Sequence, residues 1–207
     1  MIEKGQTKAP RMTKTKFALW SFVLIIGTFV SCSITDQITQ AKQLSRCDFV
    51  IMGVQEVHLA GIPLNEGMKR NDLNAGQMIQ LAAAIFSVNM PLDFDILLKA
   101  TNPNDKDAAL NKLDYQVLLD DNQLISGSIT ERIFIPAHDT IIIKIPVNAE
   151  LFEVLSGKSG DAVVNLGFRL SGQKSNKGII EIKIKPSIKV GLKDISYPGF
   201  ISLKKEI

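Results

Sequence analysis

The residues best suited to chemistry in this chain of 207 residues are its two cysteines and two histidines. A cysteine beside a histidine can act as a nucleophile, and clusters of both residue types bind zinc. His58 and His138 stand 80 positions apart, and no HExxH or CxxC spacing accompanies them, so no zinc site is predicted. Cys47 begins an apolar run and is interpreted as a small buried hydrophobic side chain, with an intermolecular disulfide or a reactive thiol as the alternatives.

Carboxylate and amide side chains suggest two further kinds of site. A loop that could ligate calcium contains Asn102, Asn104, Asp105 and Asp107. Leu113 stands where a calcium loop needs its closing Glu, so we interpret this segment as a solvated turn. Asp93 and Asp95 lie on one face of a predicted strand, where paired carboxylates could do acid–base work. Because no partner group or cleft is evident, we interpret them as part of a wet sheet face.

Phosphate-binding chemistry is also disfavoured. Gly157-Lys158-Ser159 resembles the end of a phosphate loop, but Phe152 replaces the glycine required five positions earlier. The net charge of the chain is +3, yet residues 1–31 hold five basic residues and one acidic residue. The rest of the chain therefore carries a balance of −1, which gives no electrostatic footprint for nucleic acid. We predict no nucleic-acid partner, no cofactor, no catalytic residues and no enzymatic activity.

The N-terminal segment has the pattern of an export signal. Its basic residues precede the uncharged stretch Phe17–Val30, which is followed by Ser31 and Cys32. A helix of 14 residues would be about 21 Å long, short of the roughly 30 Å hydrocarbon core of a membrane. A transmembrane anchor is therefore the weaker alternative, and residues 1–31 are predicted to be a lipoprotein signal peptide.

Cys32 is the candidate lipidation site. The run Phe29–Cys32 resembles a bacterial lipobox, in which a small residue precedes a cysteine that receives diacylglycerol and further acyl chains such as palmitate. Several acyl chains would hold the mature chain on a membrane almost permanently. Because Ser33 and its neighbours lack known retention or surface-export patterns, we expect the periplasmic face of the outer membrane. An ordinary signal peptide with an accidental cysteine is the alternative.

The mature chain is predicted to be a tether at 32–47 and one domain at 48–207. Leu92, Phe94, Ile96 and Leu98 alternate with polar residues, as strands do. Strands are predicted at 48–59, 92–99, 113–119, 124–135, 140–147, 162–170, 179–190 and 195–203, with a short helix at 149–155. The one long helix, at about 72–89, would begin at Asn71 or Asp72 and cover the sheet or close an apolar cavity. Closely spaced strands favour a mainly β fold, an antiparallel β-sandwich of the immunoglobulin/fibronectin-like kind with this accessory α-helix.

Several short motifs follow one another in the order found in a known family. They are Lys99–Asn104 with Asn102 and Pro103, Leu113–Asp120 with Tyr115, Ser126-Gly127, Ile135-Pro136 and Ile145–Val147 with Pro146. This order resembles the late embryogenesis abundant type 2 family, also called the WHy domain, over about residues 92–190. The motif residues are interpreted as fold residues, because Pro103 fixes a turn and restricts Asn102.

The resemblance implies a β-sandwich without catalytic activity that binds or protects partners under water stress. The arrangement also resembles a lipoprotein version of this domain found in the Bacteroidota. We therefore expect a noncatalytic, lipid-anchored envelope protein with a binding or stress-protective module. Its partners would be the membrane, through acylated Cys32, and an envelope protein or apolar ligand. The alternative is a carrier of lipid or another apolar ligand, with helix 72–89 as its cover.

Overall fold

The computed structural model describes residues 38–40, 42–155, 157, 159–172, 178–190 and 192–207. The strands are β1 (Asp48–Leu59), β2 (Ile62–Pro63), β3 (Pro91–Thr101), β4 (Ala108–Leu110), β5 (Lys112–Leu119), β6 (Asn122–Ile129), β7 (Ile133–Ile135), β8 (Thr140–Glu150), β9 (Ile179–Val190), β10 (Lys193–Ser196) and β11 (Ile201–Glu206). The helices are α1 (Ala75–Phe86), α2 (Leu151–Val154) and α3 (Gly160–Arg169), with a 3-10 turn at Arg70–Asp72. Residues 38–40 and 42–44 are also helical.

The strands form two antiparallel sheets that share one hydrophobic core. The first sheet has the order β2-β1-β3-β8, and the second has the order β10-β9-β5-β6, with β11 also paired to β9. A small additional pair joins β4 to β7. Buried side chains of both sheets, such as Leu98 in β3 and Ile182 in β9, belong to the same hydrophobic cluster. The predicted mainly β sandwich is confirmed.

Alternation of apolar and polar residues specifies which strand faces are buried. In β3, every second residue from Leu92 to Ala100 is buried, while those between are partly exposed. The same pattern holds from Leu113 to Leu119 in β5. Gly53 lies at a register shift in the β1–β3 pairing, which marks a β-bulge. A bulge changes the direction of side chains along β1 while both halves of the strand stay paired to β3.

The long helix is present but shorter than predicted. Helix α1 is Ala75–Phe86, and the 3-10 turn precedes it. The predicted cap at Asn71 or Asp72 is wrong, because the Asn74 side chain accepts a hydrogen bond from Gln77 N at 2.9 Å. The Gln77 side chain in turn accepts one from Asn74 N at 2.9 Å, which completes a capping box. The helix therefore begins where the backbone N–H groups of Asn74 and Gln77 both have side-chain acceptors.

The predicted strand at 162–170 is wrong, because these residues lie in helix α3. The Ser159 side chain caps the helix by accepting a hydrogen bond from Ala162 N. The buried positions are Val163, Val164, Leu166, Gly167 and Phe168, a helical rather than an alternating pattern. A Cβ at Gly167 would lie 2.7 Å from Leu59 Cδ1, so the helix approaches β1 closely at this glycine.

Two other predicted strand regions are divided differently. The predicted strand 124–135 is divided into β6, which ends at Ile129, and β7, which begins at Ile133. The region 195–203 contains two strands, β10 and β11, which pair with successive parts of β9. Pro198 and Gly199 separate them, as turn residues do.

No helix within the described parts of the chain is both long and apolar enough to cross a membrane.

Candidate functional site

The predicted lipidation site cannot be placed. Cys32 and the predicted signal segment 1–31 lie outside the described residues, as does the first part of the predicted tether. The described chain begins at Ile38 and enters the sandwich through Cys47 and Asp48, where β1 begins. The structure therefore describes the second part of the predicted tether, of which Leu44 is buried in the hydrophobic core.

Cys47 is a half-buried thiol that packs against the hydrophobic core. Its Sγ donates a weak hydrogen bond to Gln43 O at 3.5 Å. Burial, and then the negative charge of Asp48, raises the pKa of the thiol to about 11. Since the thiolate is the nucleophilic form, Cys47 is protonated and unreactive near neutral pH. Its packing matches a small hydrophobic side chain, although it is less buried than we expected.

The two histidines are engaged separately. His58 Nδ1 lies 2.8 Å from Glu56 O, at a second register shift of β1 that falls between Gln55 and His58. His138 Nε2 lies 3.0 Å from Asp105 Oδ1 on an exposed loop. Neither ring is a hydrogen-bond partner of the Cys47 thiol, whose acceptor is Gln43 O. These contacts assemble no Cys–His pair.

The carboxylates of β3 face neighbouring strands of the first sheet. Asp93 accepts a hydrogen bond from Asn148 Nδ2 at 2.6 Å, and Asp95 accepts one from Gln55 Nε2 at 3.4 Å. Asp93 and Asp95 are partly exposed on the outer side of the strand, as expected of a wet sheet face. Both carboxylates bind side chains of adjacent strands, which is a structural use of the pair.

Asn102 is the best-connected polar side chain among the predicted fold residues. It is fully buried, whereas the sequence predicted a solvated turn, so this prediction is wrong at Asn102. Its Nδ2 lies 3.0 Å from each of three carbonyl oxygens, those of Lys106, Ile135 and Pro136. Its Oδ1 accepts hydrogen bonds from the backbone and side-chain amides of Asn104. The side chain therefore joins the loop after β3 to the end of β7.

The rest of that loop provides no cation site. Asp107 accepts a hydrogen bond from Ala137 N at 2.9 Å, while Asp105 is paired with His138. Pro103 is exposed at the start of the loop, and Pro136 lies at its contact with β7. Across the ranges that the structure describes, no group of three or more His, Cys, Asp or Glu residues could hold a metal ion.

The remaining motif residues have positions typical of fold residues. Tyr115 in β5 pairs with Gly127 in β6. A Cβ at Gly127 would lie 2.5 Å from Tyr115 Oη, so the phenol ring occupies the space above this glycine. Pro146 is exposed in β8, which is the edge strand of the first sheet. An edge strand tolerates proline because no partner strand needs the missing N–H group.

The described part of the chain contains an apolar pocket of about 500 Å³ at the start of β1. One wall comes from residues 44–49, and the other comes from β9, β10, the turn after β10 and the start of β11. The lining residues are Leu44, Ser45, Cys47, Asp48, Phe49, Pro186, Ile188, Ile195, Ser196, Tyr197, Pro198 and Ile201. The sequence analysis did not predict this pocket, because its walls come from segments that are distant along the chain.

Helix α1 does not line this pocket. Leu81 is its only buried residue, and Gln80 Nε2 donates a hydrogen bond to Ala60 O at 2.7 Å. Ile79 and Phe86 point outward and are largely exposed. The helix thus covers the end of the sandwich at the β1–β2 turn, opposite the end where the tether enters.

Comparison with known proteins shows which family this chain belongs to. The sequence matches a family model described as late embryogenesis abundant protein over residues 97–204, more than half of the chain. The match extends beyond the expected 190 to include β10 and most of β11. A search of curated proteins found no match.

Three solved structures show weak similarity. A crystal structure of a protein from Archaeoglobus fulgidus is 10% identical with a TM-score of 0.35, covering 76% of this chain and 95% of that one. A solution structure of an Arabidopsis thaliana protein is 17% identical with a TM-score of 0.39, covering 56% and 69%. A solution structure of a protein described as late embryogenesis abundant (LEA) is 10% identical with a TM-score of 0.39, covering 98% and 93%. The family assignment therefore depends on the family model.

Proposed function

Because this chain belongs to the late embryogenesis abundant type 2 family, we propose that it is a noncatalytic binding or stress-protective module, lipid-anchored in a bacterial cell envelope. The family match over residues 97–204 carries the proposal. The polar residues that could do chemistry support it, because the groups they bind are backbone carbonyls and side chains of neighbouring strands. Asn102 holds backbone carbonyls, Asp93 binds Asn148, and Cys47 has a raised pKa.

The lipid anchor is proposed at Cys32. Cys32 directly follows an uncharged stretch that is too short to span a bilayer, and basic residues precede that stretch. Acylation of this residue would place the chain on the periplasmic face of the outer membrane. The basic N-terminal segment then serves export, and the mature chain, residues 32–207, has a formal net charge of −1.

Substitution of Cys32 tests the anchor. Cys32→Ala should move the protein from the membrane fraction to the soluble fraction and abolish incorporation of labelled palmitate. Cys47→Ala is the matched control and should leave both readouts unchanged, because Cys47 packs inside the domain. Continued integral-membrane fractionation of the Cys32→Ala protein would contradict the lipid anchor.

A second candidate function is the binding of a lipid or another apolar ligand. The apolar pocket beside Leu44 and Ile188 favours it, and its position differs from the cavity under helix 72–89 that the sequence suggested. Native mass spectrometry of protein extracted from membranes would test this candidate. A bound amphiphile that is lost from an Ile188→Asp variant, with folding retained by circular dichroism, would support it. Ligand-free protein from membranes would count against it.

A further inference from the structure

Four large apolar side chains are exposed within a short segment at the edge of the second sheet. The exposed fractions are 99% for Leu192, 52% for Ile195, 41% for Tyr197 and 45% for Phe200. Single exposed apolar residues are ordinary, but a concentration of them marks an interaction surface. We call these four residues the tether-end surface.

The tether-end surface is held in place by β9. Strand β10 pairs with the end of β9, with Ile195 opposite Ile188. Tyr197 N donates a hydrogen bond to Pro186 O at 2.9 Å, and Lys185 Nζ lies 5.9 Å from the centre of the Phe200 ring. These contacts fix Ile195, Tyr197 and Phe200 along the edge of the second sheet, and Leu192 lies in the turn between β9 and β10.

The same surface adjoins the point where the tether enters the domain. Ile195 and Tyr197 form one wall of the apolar pocket, and Leu44 and Phe49 form the other. Six residues lead from Cys32 to Ile38, a reach of at most about 20 Å in an extended chain, and ten more residues, partly helical, lead from Ile38 to Asp48 where β1 begins. An acyl group on Cys32 would therefore keep this end of the sandwich near the membrane.

The opposite end of the sandwich lies much farther away. Strand β1 contains 12 residues and runs from the tether to the β1–β2 turn, about 40 Å at the rise of an extended strand. Helix α1 lies at that far end, where Gln80 contacts Ala60. The tether therefore holds the end that carries the tether-end surface closer to the bilayer than the end that carries α1.

We propose that the tether-end surface docks onto the lipid bilayer that holds the anchor, which orients the sandwich with α1 away from the membrane. The inference rests on the proposed lipid anchor and adds the face that meets the membrane. Leu192 and Phe200 supply apolar area for the boundary between headgroups and acyl chains, and Tyr197 has the amphipathic ring found at such interfaces. Lys189 and Lys193 flank Leu192 and can reach lipid phosphates, with Asp194 as the one carboxylate between Leu192 and Ile195.

A single-tryptophan experiment tests this orientation. Trp20, the only tryptophan of the chain, lies in the predicted signal segment, so a Trp20→Phe background makes any added tryptophan the sole reporter. Leu192→Trp places the reporter on the tether-end surface, and Phe86→Trp is a matched control on the far end, where Phe86 is 88% exposed. Each full-length variant is reconstituted in phosphatidylcholine vesicles whose acyl chains are brominated near the headgroup.

Docking predicts that bromine quenches most of the fluorescence of the Leu192→Trp protein and shifts its emission to the blue, while the Phe86→Trp protein keeps its emission. Quenching of both reporters, of neither, or of residue 86 alone would overturn the proposal. A blue shift at residue 192 that persists without vesicles would also overturn it, because a second copy of the chain would then cover the surface.

Failure of the anchor can be distinguished from failure of the docking surface. Without acylation at Cys32, the protein would not associate stably with vesicles. The same reporters in a Cys47→Ala background can then be coupled through Cys32 to a maleimide lipid, which supplies an artificial anchor at the same position. Quenching at residue 192 under that anchor would uphold the docking surface, and unquenched emission would refute it.

Discussion

A single amide side chain joins two separate parts of the sandwich. Asn102 is fully buried. Its Nδ2 donates hydrogen bonds to the carbonyl oxygen of Lys106, in the loop after β3, and to those of Ile135 and Pro136, at the end of β7. Its own carbonyl oxygen fixes Asn104. The asparagine before a proline is thus a structural residue, and its geometry matches the interpretation of the Asn-Pro motif as a fold element.

Removal of this amide should be costly. Asn102→Ala should lower the free energy of unfolding by about 3 kcal/mol, because several buried backbone carbonyls lose their donor together. Asn148→Ala, on the exposed face of β8, is the control and should change stability by about 0.5 kcal/mol or less. Urea denaturation followed by circular dichroism measures both values. If the two substitutions lowered the free energy of unfolding equally, the hydrogen bonds of Asn102 would contribute no more to stability than those of an exposed asparagine.

Glu181 makes stability depend on pH. It is buried in β9, where its carboxylate accepts a hydrogen bond from Ser202 Oγ at 2.6 Å and lies 3.2 Å from Lys204 Nζ. The Ser202 hydrogen bond first, and then Lys204, lowers the pKa of Glu181 below its ordinary value of 4.5. A lowered pKa in the folded state means that the stabilisation is present above 4.5 and is lost as pH falls through the folded pKa.

Glu181→Gln should therefore destabilise the protein by about 1 kcal/mol at pH 7, a modest value because Lys204 is largely exposed. The difference from the parent protein should shrink below pH 4.5 and vanish once Glu181 is protonated. Urea denaturation between pH 7 and pH 3 measures it, with exposed Glu131→Gln as the control. A difference that is constant with pH would contradict the role of the charge.

At the scale of elements, the β5–β6 pair depends on a tyrosine over a glycine. The Tyr115 ring fills the position of a side chain at Gly127, so the two strands are matched by shape. Gly127→Ala should destabilise the protein by about 1–3 kcal/mol, because the new methyl group overpacks the ring. Gly53→Ala is the control, since a Cβ there meets no atom within 4 Å. Thermal denaturation compares the two variants.

The Gly127→Ala effect should depend on Tyr115. In a Tyr115→Leu background, the added methyl group no longer meets a ring, so its cost should fall well below its cost in the parent protein. A double-mutant cycle measures this coupling. Additive effects would mean that Gly127 is required for its backbone conformation rather than for the ring.

Helix α3 shows why a short apolar run is ambiguous. The run at 162–170 has Val163 and Val164, which favour strands, and it is short enough to be either element. Burial on one helical face and the close approach of Gly167 to Leu59 decide for the helix. That approach is a contact between residues more than 100 positions apart, which local periodicity does not contain.

At the scale of the whole molecule, the sandwich has two unlike ends. The β1–β2 turn and α1 form one end, while the tether, the apolar pocket and the tether-end surface form the other. All of the excess positive charge precedes Cys32, because residues 1–31 carry a balance of +4 and the rest of the chain carries −1. Binding to a membrane is therefore proposed from exposed apolar residues and from the tether.

The β-rich class, the buried faces of β3 and β5, and the family could be predicted from the sequence, because alternation and motif order are local properties of the chain. The burial of Asn102, the helical state of 162–170 and the apolar pocket beside Cys47 became evident only in the folded structure. Each of these depends on distant segments that meet in space. These tertiary contacts determine the environment of a residue, and the local sequence pattern does not specify them.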